Sequence, residues 1–104
     1  MINVYLDDYR PCPEGFVLAK TAAECILLLQ HEEVDILSLD FELGWGQPSG
    51  LAVAEYIVSS GRFPRTCYFH TSSLAGRMQM VHLLTQHAPL NIQIHNGPMP
   101  AASR

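Results

Sequence analysis

Apolar and polar positions alternate from Ile2 to Leu6, with Ile2, Val4 and Leu6 set against Asn3 and Tyr5, the period-2 pattern of a strand with one apolar face. The run ends in Asp7-Asp8. The YRPCPEG segment that follows carries Pro11, Pro13 and Gly15, which remove backbone donors and disfavour helix, so it is read as loop. Phe16 to Ala19 reads as a short second strand. Thr21 and Glu24 form a T-x-x-E capping box ahead of Cys25, Ile26, Leu28 and Leu29, which predicts a first helix from about Ala22 to His31. Val34, Ile36, Leu37 and Leu39 make a β-branched apolar run too short for an independent helix. It predicts a buried strand that stops at Asp40 and Glu42 before Gly44. After the loop Gly44-Trp45-Gly46-Gln47-Pro48, Ser49 caps a second helix lined by Leu51, Val53, Ala54, Ile57 and Val58, and Gly61 to Pro64 stops it. Thr66 to His70 is a further strand running into Thr71-Ser72-Ser73. A third helix from about Leu74 to His87 buries Met80, Leu83 and Leu84, and Pro89 closes it before a last strand at Asn91 to His95. The ending GPMPAASR is expected to be a disordered tail, which divides the chain into a domain over 1–96 and a tail over 97–104.

This order of elements predicts one α/β domain with a mainly parallel five-stranded sheet, strand order 2-1-3-4-5. No helix joins the first two strands and none follows the last, so one sheet face is expected to be thinly covered. Asn3, Tyr5, Tyr68, His70, Gln93 and His95 fall on that face by alternation. It is either a half-exposed surface or the contact of a symmetric homodimer. In the second case Tyr5 and Tyr68 supply apolar area, and Gln93 and His95 supply a polar rim.

Composition narrows the function classes. With 104 residues and 48% hydrophobic positions the chain fits one domain with a core of its own. A formal net charge of −4 and only six Lys plus Arg give no extended nucleic-acid surface, although one nucleic-acid end held in a pocket remains compatible. Cys12, Cys25 and Cys67 form no CxxC pattern, which points away from a disulfide framework or zinc site and toward a reducing cytoplasm. No apolar run approaches the ~20 residues of a membrane span, and Met1 leads straight into a strand, so no membrane association or export is expected.

The chemistry gathers where the strands end. In open α/β sheets ligands bind beyond the carboxyl ends of the strands, and Asp7, Asp8 and Asp40 lie at two such ends that the topology makes neighbours. Three carboxylates in one pocket repel, and a hard cation, Mg²⁺ or Mn²⁺, relieves that repulsion. The alternative is that individual acids cap helices, tie down the proline loop or solubilise a turn. Thr71 and Ser72 end the next strand and are candidate phosphate contacts. Arg10 either grips a phosphate or forms an ion pair with Asp7, Asp8 or Glu14. Lys20, at the carboxyl end of the second strand, is the other candidate phosphate-binding cation.

The segments LDDYRPCPEGF, LSLDFELG, SGLAVAEYI and FHTSSLAGRMQM, spread over about Val4 to Val81, resemble the cyclic-phosphate processing receiver family, a divergent branch of the two-component receivers. The resemblance implies a receiver-like, flavodoxin-like fold that lacks the first helix, an acidic magnesium pocket, and a role for a stand-alone domain with RNA ends or nucleotides carrying a cyclic phosphate. If catalytic, the domain is a metal-dependent phosphoesterase or phosphoryl-transfer enzyme. Phe41 stands where the family usually has His, and Ser73 where it usually has Asn. An acid-base role therefore falls to His70 beside Asp40, or is lost, with His70 merely packed. Two other readings stay open: a signalling module phosphorylated on Asp40, although His95-Asn96 occupies the place of the usual receiver lysine, and a protein-interaction module with a vestigial pocket.

Overall fold

The computed structural model describes residues 1–100. In chain order the elements are β1 (Ile2–Leu6), β2 (Val17–Ala19), α1 (Ala22–His31), β3 (Val34–Leu39), α2 (Gly50–Ser60), β4 (Thr66–Phe69), α3 (Leu74–His87) and β5 (Gln93–Ile94). All strands pair in parallel in one sheet ordered β2-β1-β3-β4-β5, as the order of elements predicts. The three helices form a single layer, α1 against α2 and α2 against α3. Beneath them Val4, Leu6, Leu37, Leu39, Val53, Ile57, Phe69, Met80 and Leu84 make the core. Among the described residues no helix is long and apolar enough to cross a membrane.

Local sequence explains the boundaries. Thr21 Oγ1 accepts the Glu24 amide at 3.1 Å, but the Glu24 carboxylate accepts the amide of Lys20, one residue upstream of the cap, at 2.8 Å. The capping box is thus closed one residue wider than its motif describes. Ser49 and Ser73 cap α2 and α3 through the amides of Leu51 and Gly76. The last strand is shorter than Asn91 to His95, but its ladder continues: Gln93 N–H donates to the Arg65 carbonyl, His95 N–H to the Cys67 carbonyl, and Phe69 N–H to the Gly97 carbonyl. The start of the expected tail is therefore hydrogen-bonded to β4, and Met99 is buried. Residues 101–104 of that tail lie outside the described residues.

The sheet face away from the helices is covered unevenly. Tyr5, expected to be available to a partner, is only 7% exposed. The proline loop folds back so that the Phe16 ring meets Tyr5 edge-on at 6.4 Å, while the His70 ring stacks on it at 4.2 Å. Tyr68 stacks on His95 at 4.5 Å and stays half-buried. The loop has taken over part of the work of the missing helix.

One close approach joins the core to the carboxyl edge. The Gly50 amide, at the start of α2, donates to the Phe41 carbonyl at 2.8 Å, and a Cβ at Gly50 would collide with the Asp40 carbonyl oxygen. Gly50→Ala should therefore lower stability by about 1–3 kcal/mol, the range for overpacking. Urea unfolding of the two proteins measures this, and an unchanged midpoint would show that α2 can retreat at no cost.

Candidate functional site

The register of the sheet builds the site. Ala19, Leu6, Leu39 and Phe69 pair across β2, β1, β3 and β4, with their side chains on the helix side. One residue further along each strand, alternation turns the side chains to the other face and puts Lys20, Asp7, Asp40 and His70 in a row at the carboxyl edge. The amides of Asp7, Asp40 and His70 still bond to Ala19, Leu6 and Leu39, so the strands hold the backbone of each residue in place.

Asp7 is fully buried and accepts four hydrogen bonds. Its Oδ1 takes the amides of Tyr9 and Arg10, each at 2.9 Å, which turns the chain sharply after β1. Its Oδ2 takes Arg10 Nη1 and His70 Nε2, each at 2.9 Å. Burial alone would raise the Asp7 carboxyl. The two amides, the guanidinium and the imidazole outweigh it and hold the group below the ordinary carboxylate value. Arg10 Nη1 also reaches Asp40 Oδ2 at 3.0 Å, so one guanidinium nitrogen bridges the two carboxylates. Asp40 Oδ1 accepts the Phe41 amide at 2.8 Å. Asp7 anchors Arg10, its carboxylate helping to raise the guanidinium pKa further. Of the two roles open to Arg10, the ion pair is made, with Asp7 and with Asp40.

His70 uses both ring nitrogens inside the protein. Asp7, an ionised acceptor, requires the proton on Nε2, so Nδ1 accepts the Ser38 hydroxyl, 2.6 Å away. Burial lowers the pKa of His70 despite the nearby Asp40 and Asp7 charges, which favours the neutral ring. Ser38 is itself fully buried in mid-strand, so this Asp-His-Ser line is a supporting network without a reachable nucleophile. The sequence hint of Ser38 was a lone polar residue at an alternate position of the apolar run ILSL.

The other expected residues are placed less centrally. The ligand atoms that come within 4.8 Å of one another belong to Asp7, Asp40 and His70; the expected third carboxylate, Asp8, is not among them. Its side chain lies toward the β3–α2 loop, where a Cβ on Gly44 would be 3.5 Å from Asp8 Oδ2. Thr71 Oγ1 accepts the Ser73 amide at 3.1 Å, a turn-stabilising bond, and Ser72 is exposed. Lys20 lines a cavity of about 230 Å³ together with Asp7, Asp8, Tyr9 and Arg10, so it shares the pocket with the guanidinium.

The pKa shifts set the response to acid. The folded pKa of His70 lies below its ordinary 6.5, so the unfolded chain takes up the proton first. The contribution of the neutral ring is complete above that value and is lost as pH falls. Asp7 adds a second loss below its ordinary 3.8. In chelated buffer the urea midpoint should fall between pH 7 and pH 5, and His70→Gln should flatten that fall. An unchanged slope in the variant would remove His70 from the account.

With this geometry in view, comparison with known proteins gives one assignment. No curated protein matches the chain. The family model of the cyclic-phosphate processing receiver domain matches residues 2–86, from β1 to the last turn of α3, and this span holds Asp7, Arg10, Asp40 and His70. The chain belongs to the cyclic-phosphate processing receiver domain family.

Proposed function

We propose that the carboxyl-edge pocket binds a phosphate-bearing ligand together with a divalent cation. The observation that carries this reading is the convergence of Asp7, Asp40 and His70 on one point with Arg10 beside them. Asp7, Asp8 and Asp40 against Arg10 and Lys20 leave the pocket with a net negative charge. A phosphate would be repelled unless a cation came with it. The donor set supports such an ion. Asp7 and Asp40 offer oxygens to Mg²⁺ or Mn²⁺, while His70, with both ring nitrogens engaged by Asp7 and Ser38, holds Asp7 in place beside the ion. When bound, the ion would supply positive charge to the phosphoryl oxygens.

The residues themselves do the rest. Arg10 spends one nitrogen on both carboxylates and keeps further donors in the cavity that Lys20 also lines, which suits a phosphate oxygen. Binding is better supported than turnover, because neither His70 nitrogen is free to move a proton to or from a ligand. Phosphorylation of Asp40 is the less favoured reading. Its Oδ2 is held by Arg10, and the only lysine of the chain stands beside Asp7 at the β2 edge.

Ion and guanidinium compete for the same two oxygens. Calorimetric titration should show binding of Mn²⁺ or Mg²⁺ by the wild type at up to millimolar concentration. Arg10→Gln should bind the metal at least about tenfold more tightly and lose affinity for inorganic phosphate. Silence from both proteins at millimolar metal contradicts the cation reading.

The same reading extends to a homodimer through what remains exposed of the open sheet face, Tyr68, Gln93 and His95. Tyr68→Ser should then weaken self-association in sedimentation runs. Tyr5→Ser should lower the stability of the protomer, because its ring is already packed between Phe16 and His70. A particle of 11.6 kDa at every concentration up to millimolar would refute the dimer.

A further inference from the structure

The amino ends of the strands, opposite the acidic pocket, hold a further cavity of about 380 Å³, larger than the one of about 230 Å³ that contains Arg10. The six residues of β3 keep the two about 20 Å apart, so no group in one touches a small ligand in the other. Four stretches of chain meet at this edge: the end of α1, the start of β3, the α2–β4 loop and the turn before β5. Gly61 ends α2 in the left-handed conformation (φ 74°), and Arg62-Phe63-Pro64-Arg65 then crosses to β4. Leu29, Val34 and Pro64 give the cavity a buried apolar floor, with Phe63 and Ile92 half-buried beside it. Glu32, Glu33, Arg65 and Asn91 are exposed around it.

The walls are fixed in the free protein. Arg62 donates from Nε to the Leu29 carbonyl at 2.7 Å and from Nη2 to the Gln30 carbonyl at 2.9 Å, which ties the α2–β4 loop to the end of α1. Ile2 N–H bonds to the Glu33 carbonyl, Arg65 N–H to the Val34 carbonyl and Gln93 N–H to the Arg65 carbonyl, so sheet-edge backbone carries Glu33 and Arg65. Their side chains are uncommitted. The ion pairs among the described residues all belong to Asp7, Arg10, Asp40 and His70, and none joins Glu32 or Glu33 to Arg65 although the three line one cavity. By side chain the lining carries two carboxylates and two guanidiniums, so a simple anion or cation is attracted by one pair and repelled by the other. A molecule bearing both signs engages both.

We propose that the amino-edge cavity binds a small zwitterion with an apolar body, a carboxylate and an ammonium group on one skeleton, as in an amino acid or a dipeptide. Arg65 takes the carboxylate, which a guanidinium grips through two parallel N–H donors. Glu32 and Glu33 take the ammonium, and the floor with Phe63 and Ile92 takes the apolar body. A preformed cavity with an apolar floor and a few convergent polar groups is the usual form of a small-molecule site. The site is independent of the phosphate reading, since none of its residues belongs to the acidic network.

The test is amide NMR titration of the full chain, with calorimetry for the affinities. The probes are leucine, leucyl-leucine and three molecules that each lack one part: N-acetyl-leucine without the ammonium, isopentylamine without the carboxylate, and glycine without the apolar body. Leucine or leucyl-leucine should saturably shift the amides of Glu33, Arg65 and Ile92 and leave those of Asp7 and His70 in place; the tighter of the two says whether an amino acid or a dipeptide is the better fit. Each truncated probe should bind at least about tenfold more weakly, the size of one lost charge-assisted contact. Arg65→Gln should weaken the zwitterion by a similar factor with an unchanged urea midpoint, because the sheet bonds at this position are made by backbone. Equal binding of leucine and a truncated probe, or of leucine by wild type and Arg65→Gln, overturns the zwitterion assignment. Absence of saturable shifts at the cavity with millimolar leucine and leucyl-leucine overturns the site itself.

Discussion

The carboxylate of Asp7 is the constraint on which the rest of the edge depends. A fully buried charge survives only when its lone pairs are filled, and here two amides, one guanidinium and one imidazole fill them. Each bond also fixes something else. The amides set the exit of the chain from β1, the guanidinium is brought onto Asp40, and the imidazole is held flat over Tyr5. Removing the charge would release the loop, the cation and the histidine together, because no other contact fixes all three.

The missing flanking helices explain why this arrangement is reachable. With α1, α2 and α3 all on one side, side chains that alternate to the other side are not committed to a core. Tyr5, Ser38, Tyr68 and His70 can therefore carry polar groups on the sheet itself. The proline loop compensates locally: Pro11 and Pro13 deny it regular structure, Asp7 fixes its start, and Phe16 returns it to Tyr5. One short loop thus shields part of a sheet face and also supplies Arg10 and Tyr9 to the pocket.

Much of this was readable from the chain because parallel strands impose period 2 and a shared carboxyl edge. Asp7, Asp40 and His70 lie one residue past apolar strand ends, the alternation of strands and helices implied the strand order, and the gaps without helices marked the thinly covered face. What the sequence hid is non-local or lies past the last ladder bond. Asp8 differs from Asp7 by one position, yet the turn made by Asp7 sends its side chain to Gly44, so His70 takes the third place in the cluster. Alternation placed Tyr5 on the open face, but only the fold-back of Phe16 buries it. Arg10 is adjacent to the acids in sequence, but its bridge to Asp40 spans thirty residues of separation. The amino-edge cavity gave no signal, because its walls come from stretches that meet only in the fold.

The central claim is that an ionised Asp7 organises the edge, and the proton on His70 reports it most directly. Nitrogen NMR of the His70 ring in chelated buffer at pH 7 should show a neutral imidazole with its proton on Nε2, since Asp7 Oδ2 needs a donor and Ser38 Oγ supplies one to Nδ1. An imidazolium at that pH, or a neutral ring protonated on Nδ1, would contradict the account.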